Sequence, residues 1–415
     1  MSKTDFCSLA PINWSTETPP PVQVACRLLD SCFLKMESRS ERVDSLDVAS
    51  WLAKHGRTKN QIHVSQPREV SCWTRASSRE GGDLKLGDRS GLHKLIPIPT
   101  FPADLNEGYP DMFVRKPEGV HPGVEPVAEA LAQGGVPWRE CDVVTFRNNL
   151  NKIAGTPFDS RKEWEVDACL SDGVLFLDIR DGPGDGRSFQ NQDRFMYYGY
   201  KLEELSTNDN AKPSTVDATS EFCTVVRLRI GDLKIMMAAE IDCYHAGQET
   251  VGLGSYVEIK AQKIPNNPRQ EQNACKFKYP RWWLQSWLAG VSRILVGKWD
   301  ETGMLQSTQV LQTTDLPRLS TEKGAPWSPW AAINFLHTAI AWMKEVAARY
   351  PKTHLRFTLS SPANRGPQLI ASVVPGGDLT ERVRKMRSRW ATQQDKSEEC
   401  GTADPTYPPA KRQRS

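Results

Sequence analysis

The sequence predicts a mixed α/β protein, because short apolar strand patterns alternate with amphipathic helix patterns along most of the chain. SEFCTVVRLRIGDLKIMMAAEID contains two apolar runs separated at Gly231–Asp232, a pattern typical of a β-hairpin. WEVDACLSDGVLFLDIRD has the same form and turns at Ser171–Gly173. WSPWAAINFLHTAIAWMKEVAARYP predicts a long amphipathic helix that stops at Pro351. At 415 residues the chain can form one large domain or two.

Other segments extend this alternation of helices and strands. VEPVAEALAQGG predicts a helix ending at Gly134–Gly135, and HLRFTLSS and PQLIASVV predict closing strands. RFMYYGYKLEELS predicts a strand or turn entering a helix, and RWWLQSWLAGVSRILVGKWDETG predicts a helix followed by a strand. CDVVTFRNNLNKIAGTPFD predicts a helix that carries Arg147 among apolar residues. Such an arginine is ordinarily a structural ion-pair partner, although its fork also suits a phosphate.

The two ends of the chain differ in character from its middle. Residues 1–65 are interpreted as a variable N-terminal extension, residues 66–383 as the main domain, and residues 384–415 as a disordered charged tail. The tail ends in PPAKRQRS, a basic cluster typical of a nuclear address, so we expect a nuclear protein with the cytosol as a second location. The N-terminus lacks a secretory signal, and no apolar run approaches the roughly 18 residues of a membrane span, so no membrane partner is expected.

Composition excludes several functional classes. The 53 Lys+Arg and 50 Asp+Glu nearly balance, so no global electrostatic field indicates nucleic acid, although a local basic groove is compatible with this balance. The 10 cysteines form no C-x-x-C pair and the seven histidines show no metal-ligand spacing. Reduced thiols are therefore expected, rather than a disulfide framework or a zinc site.

The segment KIMMAAEIDCYHAGQETVGLGSYVEIKAQK carries the chemistry. It predicts two strands, in which Glu240 and Asp242 share one face of the first strand and Glu258 and Lys260 share one face of the second. If the strands pair, three carboxylates and one ammonium converge. A solvated face is the ordinary interpretation of a single E-x-K, but these charges lie inside apolar runs.

Three carboxylates close together in an apolar sheet oppose one another's ionisation, and a divalent cation removes that cost. Ligands that are all oxygen, without a His or Cys cluster, suit Mg²⁺ or Mn²⁺. Two such ions can activate a water and stabilise the leaving oxygen of a phosphodiester or pyrophosphate. The candidate catalytic residues are therefore Glu240, Asp242, Glu258 and Lys260.

In their order along the chain, these segments resemble the DXO family of RNA 5′-end decapping enzymes and exoribonucleases. The resemblance covers most of residues 67–375, through the blocks GYPD, TFRNNLNKI, MYYGYKLE, FCTVVRLR, EID, YVEIK and WWLQSWLAGV. It implies two packed mixed β-sheets flanked by helices in a single large catalytic domain. It also implies metal-dependent removal of non-canonical caps, NAD caps or 5′ triphosphates from RNA, with 5′→3′ degradation as a further expectation.

The resemblance also assigns roles to individual positions. Glu240, Asp242 and Glu258 match the family's acidic residues around the metal ions, and the carbonyl of Ile259 matches its main-chain ligand. The substrate-contacting positions implied are Lys260 and Gln285 at the scissile phosphate, Arg147 at the RNA backbone, Arg79, and, by a looser match, Glu125.

One position departs from the family pattern. A gapless match puts Ile179 where the family has a glutamate ligand, with Asp178 one residue earlier. A shift of one residue turns a side chain to the other face of a strand, so Asp178 can reach the metal only if the strand is bulged or its register differs. This departure predicts reduced metal affinity or activity.

Two alternative functions follow. One is a weakly active or inactive partner that stabilises a separate 5′→3′ exoribonuclease. The other is a DNA nuclease, because E-x-K hairpins also occur in restriction-type enzymes, and RNA selectivity requires 2′-hydroxyl contacts that a sequence does not reveal.

Overall fold

The structure is a computed structural model that describes residues 40–117, 121, 123–137, 140–180, 192–207, 215–247, 251–362 and 364–399, the last nine as backbone only. From Glu41 onward the described residues form one compact unit. No helix within these ranges is long and apolar enough to cross a membrane. The six cysteines described are free and buried, at positions 72, 141, 169, 223, 243 and 275.

Seventeen strands are present in the described residues. In chain order they are β1 Glu41–Asp47, β2 Arg68–Arg75, β3 Leu84–Leu86, β4 Ala103–Asp104, β5 Phe113–Val114, β6 Val143–Phe146, β7 Trp164–Ser171, β8 Val174–Ile179, β9 Val216–Asp217, β10 Glu221–Ile230, β11 Leu233–Glu240, β12 Cys243–Tyr244, β13 Tyr256–Lys263, β14 Arg293–Trp299, β15 Met304–Gln312, β16 Leu355–Ser360 and β17 Gln368–Val373.

Nine α-helices flank these strands in the same part of the chain. They are α1 Val48–His55, α2 Glu125–Gln133, α3 Arg147–Ala154, α4 Gln192–Thr207, α5 Pro268–Phe277, α6 Tyr279–Leu288, α7 Leu316–Glu322, α8 Pro329–Arg349 and α9 Leu379–Glu399.

The strands form a large and a small mixed sheet, as expected. The large sheet has ten strands in the order β1-β17-β16-β7-β8-β6-β11-β10-β2-β3, and the small sheet has five in the order β12-β13-β14-β15-β4. A further pair, β5 and β9, is parallel. An apolar cluster that includes residues of α3, α6, α8 and both sheets forms the main core, and a second cluster packs α2 and α9 on the large sheet. The two sheets are therefore joined by a shared core.

Both predicted hairpins are present. β10 and β11 pair antiparallel around Gly231, and β7 and β8 pair around Asp172 and Gly173. Asp172 and Gly173 have φ of 45° and 82°, the left-handed conformations that a tight two-residue hairpin requires. The closing strands β16 and β17 and the helix α8, capped by Ser328, also lie where the sequence predicts them.

The predicted pairing of the two central strands is wrong. β11 lies inside the large sheet and β13 inside the small one. From the first of these two predicted strands, only the two residues of β12 pair with β13, through Cys243↔Val257 and Tyr244↔Tyr256. The chain thus leaves one sheet after Glu240 and joins the other at Cys243. The acidic residues meet between two sheets rather than on one hairpin.

Two further elements differ from the sequence-based prediction. CDVVTFRNNLNKIAG is a strand followed by a helix, because Val143–Phe146 form the fully buried parallel strand β6 before α3 begins at Arg147. RFMYYGYKLEELS is helical throughout, as part of α4. A short strand buried on both faces has no alternation of polar residues, which explains the first difference.

The predicted boundaries of the domain are too narrow. β1 pairs with β17, and α1 contributes the buried Val48 to the main core, so residues 41–65 belong to the domain rather than to a variable extension. At the other end α9 continues to Glu399 and buries Val383, Met386 and Trp390 against the large sheet. The disordered tail expected from residue 384 is therefore wrong up to residue 399. Residues 1–39 and the basic cluster PPAKRQRS lie outside the described residues.

Tyr256 links the two sheets by hydrogen bonds. This fully buried residue begins β13, and its hydroxyl donates to Glu69 Oε2 of β2 (2.6 Å) while it accepts from Arg89 Nη1 (2.8 Å). We expect Tyr256→Phe to lower the free energy of unfolding by about 1–3 kcal/mol, because the Glu69 carboxylate loses a donor in a buried position. Urea unfolding measures this difference, and an unchanged value would contradict the proposed link.

Candidate active site

The site is built where the chain crosses between the sheets. The N–H of Ile241 still donates to Phe222 O of β10 (3.0 Å), so the large sheet holds the chain until just before Asp242. β12 then attaches the chain to β13, and Asp242 Oδ2 accepts from the N–H of Ile259 (2.6 Å). This crossing places Glu240 and Asp242 beside the Glu258–Lys260 segment.

Glu258 is the centre of the site. It is 1 % exposed and accepts hydrogen bonds from Lys260 Nζ, Gln285 Nε2 and Arg147 Nη1, the last at 3.3 Å. Burial disfavours its charge, but Lys260 and Arg147 outweigh that cost and hold the pKa of the carboxyl below its usual range. Glu258 is therefore a buried carboxylate that stays ionised.

Arg147 is the first residue of α3 and is engaged by protein atoms. Besides Glu258, its guanidinium donates to the carbonyls of Glu240 (2.9 Å) and Gln285 (3.2 Å). It is 6 % exposed and lines the main cavity. Its contacts join β11, β13 and α6 around Glu258, so a positioning role is visible in the structure whether or not RNA also contacts it.

The acidic residues of the site oppose one another's ionisation. Burial and the neighbouring Glu258 raise the pKa of Asp242 to about 7. Burial and the carboxylates of Asp242 and Glu240 raise the pKa of Glu203 well above its usual range. The same residues, Glu203, Glu240 and Asp242, line one cavity of about 290 Å³. Negative charge in this cavity therefore exceeds what Lys260 and Arg147 compensate.

Glu203 was not among the residues selected from the sequence. It lies on α4, which packs against β13, and Leu202 beside it approaches Gly297 of β14 so closely that a Cβ there would lie 2.5 Å from Leu202 Cδ2. Glycine at 297 thus lets α4 bring Glu203 to the site. The sequence did contain an indication of this residue. Glu203 ends the block MYYGYKLE, an aromatic run that is compatible with a helix.

Three cavities meet at the site. The largest, about 610 Å³, is lined by Arg147 and Gln285 on one side and by Glu221 and Glu240 on the other. It shares Glu221 and Glu240 with the 290 Å³ cavity, and Gln285 with a third cavity of about 230 Å³. Neighbouring cavities share lining residues, so they lie side by side along the acidic cluster, and together they are called the groove. A flexible, extended substrate fits such a groove.

The donor set fits hard divalent cations. Four carboxylates, from Glu203, Glu240, Asp242 and Glu258, supply oxygen ligands, and the raised pKa values of two of them mark charge that a cation would stabilise. In the part of the chain that the structure describes, no three acidic, His or Cys side chains already enclose a metal position.

Two of the residues predicted from the sequence lie elsewhere. Asp178 Oδ2 forms an ion pair with Arg382 Nη1 (2.9 Å), and Glu125 forms one with Arg382 Nε (2.6 Å), in a further cavity that shares His121 and Ile179 with the 610 Å³ cavity. β8 pairs with β7 in unbroken register, Asp178 opposite Asp167, so no bulge turns Asp178 toward the site. The structure thus corrects Asp178 as a metal ligand, whereas the substrate-contacting role of Glu125 stays a prediction, and Glu203 supplies the fourth carboxylate.

Arg79 lies at the edge of the site region. It follows β2 in a short 3₁₀ turn, is exposed, and its Nη1 donates to Thr215 Oγ1 (3.2 Å). Thr215 lines the cavity that contains Glu203, whereas Arg75, four residues earlier, lines the 610 Å³ cavity. The substrate-contacting role of Arg79 stays a prediction.

The cluster around Asp167 predicts acid sensitivity. Burial opposes its charge, but His354 and Arg356 outweigh burial and lower the pKa of Asp167 to about 2. A depressed carboxyl pKa contributes stability above the unfolded value near 4, which is lost as the pH falls toward 2. We expect Asp167→Asn to lower the free energy of unfolding at pH 7 by about 2 kcal/mol.

Urea titrations of Asp167→Asn and the unsubstituted protein between pH 7 and pH 2 test this expectation, since the difference should shrink across the lower part of that range. Glu381→Gln is the control, because Glu381 pairs with Arg384 on the exposed face of α9 and should contribute little at any pH. A constant difference at all pH values would exclude Asp167 ionisation as the cause.

Comparison with known proteins assigns the family. A family model described as RAI1 like PD-(D/E)XK nuclease matches residues 65–373, about three-quarters of the chain. The chain belongs to this family. The E-x-K part of the family's signature corresponds to Glu258, Ile259 and Lys260, the segment around which the site is built.

Individual members of this nuclease family are also similar to the chain over most of its length. The chain is 28 % identical over 340 residues to the decapping nuclease din1 of Schizosaccharomyces pombe, covering 72 % of this chain and 92 % of the relative. It is 26 % identical over 344 residues to the human decapping and exoribonuclease protein, covering 77 % and 82 %.

Solved structures of the nuclease family have the same fold. S. pombe Rai1 in complex with 3′-FADP matches with a TM-score of 0.64 and 27 % identity, covering 76 % of this chain and 96 % of that one. Candida albicans Rai1 in complex with pU5 and Mn²⁺ matches with a TM-score of 0.66 and 19 % identity, covering 86 % and 100 %. The mixed two-sheet fold is therefore that of the Rai1 nucleases.

Proposed function

We propose that this protein is a divalent-metal-dependent hydrolase of RNA 5′ ends that acts in RNA quality control. The observation that carries the proposal is the ionised, buried Glu258, held by Lys260, Gln285 and Arg147 where the groove crosses three further carboxylates. Such a constellation has little use in a purely structural site, because it concentrates charge that folding alone would avoid.

The relatives support the substrate class. Those most relevant are named decapping nucleases, and the S. pombe and C. albicans Rai1 structures hold 3′-FADP and pU5 with Mn²⁺. For this chain we propose non-canonical caps, NAD caps and 5′ triphosphates as substrates, followed by 5′→3′ degradation of the RNA body. The proposed cofactor is a pair of Mg²⁺ or Mn²⁺ ions, held by the four carboxylates and the carbonyl of Ile259.

The residues of the chain act around one phosphorus atom. When bound, the metal ions would supply Lewis-acid stabilisation and a water of lowered pKa for attack on that phosphorus. As the bond from the water oxygen to phosphorus forms and the bond to the leaving oxygen breaks, Lys260 Nζ donates to a non-bridging oxygen. Gln285 orients the same phosphate from α6, and Arg147 keeps Glu258 in place. The attacking water gives up a proton to solvent, and the leaving oxygen takes one from solvent.

A set of labelled RNAs tests the proposal. Purified protein is incubated with RNAs bearing a non-methylated cap, a methylated cap, NAD, triphosphate or monophosphate, each with Mn²⁺, Mg²⁺ or EDTA. Release of at least one 5′ end with metal and none in EDTA is the expected result, and loss of the monophosphate RNA would add exonuclease activity. A folded protein that leaves all five RNAs intact would contradict the proposal. Matched single-stranded DNA in the same assay distinguishes a DNA nuclease.

The alternative of an inactive partner for a 5′→3′ exoribonuclease loses its original motivation. That hypothesis depended on a missing glutamate at Ile179, and Glu203 now supplies a fourth carboxylate. Binding to such an exoribonuclease is compatible with an active enzyme, and co-purification tests it separately.

We also propose nuclear action, which localisation of a tagged protein with and without PPAKRQRS would check.

A further inference from the structure

A second charged group faces the 610 Å³ cavity beside the catalytic cluster. Glu221 begins β10, and its two carboxylate oxygens bind different cations: Arg75 Nε lies 3.2 Å from Oε1 and Lys116 Nζ lies 3.1 Å from Oε2. Lys116 Nζ also lies 3.5 Å from Glu240 Oε1. The trio Arg75, Glu221 and Lys116 is therefore in direct contact with the acidic cluster.

The trio carries an excess of positive charge. Within the trio one carboxylate is shared by two cations, and the remaining positive charge faces Glu240, a proposed metal ligand that lies 3.5 Å from Lys116. Arg147, the other cationic residue at this cavity with described contacts, is turned to Glu258 and two carbonyls. Arg75 and Lys116 are thus the cations best placed to meet an anion inside the cavity, and their side chains are 26 % and 41 % exposed.

The trio is positioned by the large sheet. Arg75 of β2 lies directly opposite Glu221 in the antiparallel register, a cross-strand arrangement that fixes the ion pair. Glu221 is only 13 % exposed and lines both the 610 Å³ cavity and the acidic cavity next to it. An anion held by Arg75 and Lys116 would therefore lie beside Glu240, which Lys116 also contacts, and so next to a phosphate engaged by metal ions at the acidic cluster.

We propose that Arg75 and Lys116, held by Glu221, form a subsite for the second and further phosphates of a 5′ polyphosphate end. Triphosphate, cap and NAD ends share this chemistry, since each has at least two linked phosphates, whereas a 5′ monophosphate has one. The subsite would make the protein prefer polyphosphate ends to monophosphate ends. This inference rests on the proposed function, because it places the 5′ end of an RNA in the groove.

Binding measurements on two RNAs test the subsite. Fluorescence anisotropy is recorded for 3′-labelled pentanucleotides with a 5′ triphosphate or a 5′ monophosphate in Ca²⁺ buffer, and gels confirm that each RNA stays intact. We expect Lys116→Met to weaken triphosphate binding at least tenfold and monophosphate binding less than threefold, and Lys116→Arg to restore most of the difference. Arg75→Met should act in the same direction.

Lys323→Met is the matched control, since it removes the same charge from a surface pair between Lys323, just after α7, and Glu271 of α5 (2.9 Å), and it should change neither affinity. Equal weakening of both RNAs by Lys116→Met, or no weakening, would overturn the subsite. If the unsubstituted protein hydrolyses triphosphate RNA while Lys116→Met keeps full discrimination, the subsite alone is wrong. If the unsubstituted protein prefers triphosphate RNA in binding yet hydrolyses no 5′ end with any metal, the hydrolase function is wrong and the subsite stands.

Discussion

Glu203→Gln is expected to abolish RNA 5′-end hydrolysis and, at the same time, to stabilise the metal-free protein. The carboxyl is buried beside Asp242 and Glu240, and its raised pKa shows that ionisation there is costly. Glutamine keeps the shape and removes the charge. Each unit by which the pKa is raised corresponds to about 1.4 kcal/mol, so we expect the free energy of unfolding in EDTA to rise by at least about 1 kcal/mol.

The same substitution should lower the rate of hydrolysis at least about 100-fold, since it removes one of four candidate metal ligands. It should also reduce the stabilisation that Mn²⁺ gives, because a ligand stabilises only in proportion to its affinity for the folded state. Thermal unfolding with and without Mn²⁺ measures both effects. Glu322→Gln, on the exposed face of α7, is the control. If Glu203→Gln kept its activity, or if it made the metal-free protein less stable, Glu203 would not belong to the site.

Glu258→Gln should also abolish hydrolysis, but with the opposite effect on stability. Glu258 neutralises Lys260 and Arg147 in a buried position, so removing its charge leaves the buried Arg147 and the half-buried Lys260 without their shared partner. Breaking a buried pair in this way costs about 3–5 kcal/mol. We expect activity to fall at least about 1,000-fold, because the substitution removes a metal ligand and displaces Lys260 and Arg147 together.

Urea unfolding and initial rates on capped RNA measure these two effects. A double variant, Glu258→Gln with Lys260→Met, removes both charges and should recover part of the lost stability without recovering activity. Recovery of activity in the double variant would show that the charge of Glu258 is not required for the reaction. Two neighbouring carboxylates thus give opposite stability changes and the same loss of function.

Local patterns in the sequence were sufficient to predict much of this fold. The two hairpins, α2, α6, α8 and the closing strands follow from periodicity and turn residues, which act within about ten positions. β6 was predicted as part of a helix because a short strand buried on both faces resembles a helical segment. α9 was not predicted as a helix because the segment is highly charged, although Leu379, Val383, Met386 and Trp390 follow helical spacing.

The sequence was sufficient to predict most residues of the site, but not how the fold brings them together. Glu240, Asp242, Glu258, Lys260 and Gln285 do come together. Their meeting depends on the passage of the chain between two sheets, which is a long-range event that no local pattern encodes.

The same limit explains the errors at two acidic positions. Glu203 reaches the site through the packing of α4 on Gly297, and its sequence context resembles an ordinary solvated helix. Asp178 was a candidate because it lies one residue before the family's glutamate position, but the register of β8 places it opposite Asp167. Side-chain direction on a strand is set by pairing partners that lie far away in sequence.

The crossing between the sheets divides the site into two covalent halves. Glu203, Glu240, Asp242 and Arg147 precede the connection between β12 and β13, whereas Glu258, Lys260 and Gln285 follow it. Two fragments of the protein separated at residue 249 would therefore each carry an incomplete set of reacting groups. Neither fragment could turn over substrate alone, and any activity of the mixture would report that the fragments had reassembled.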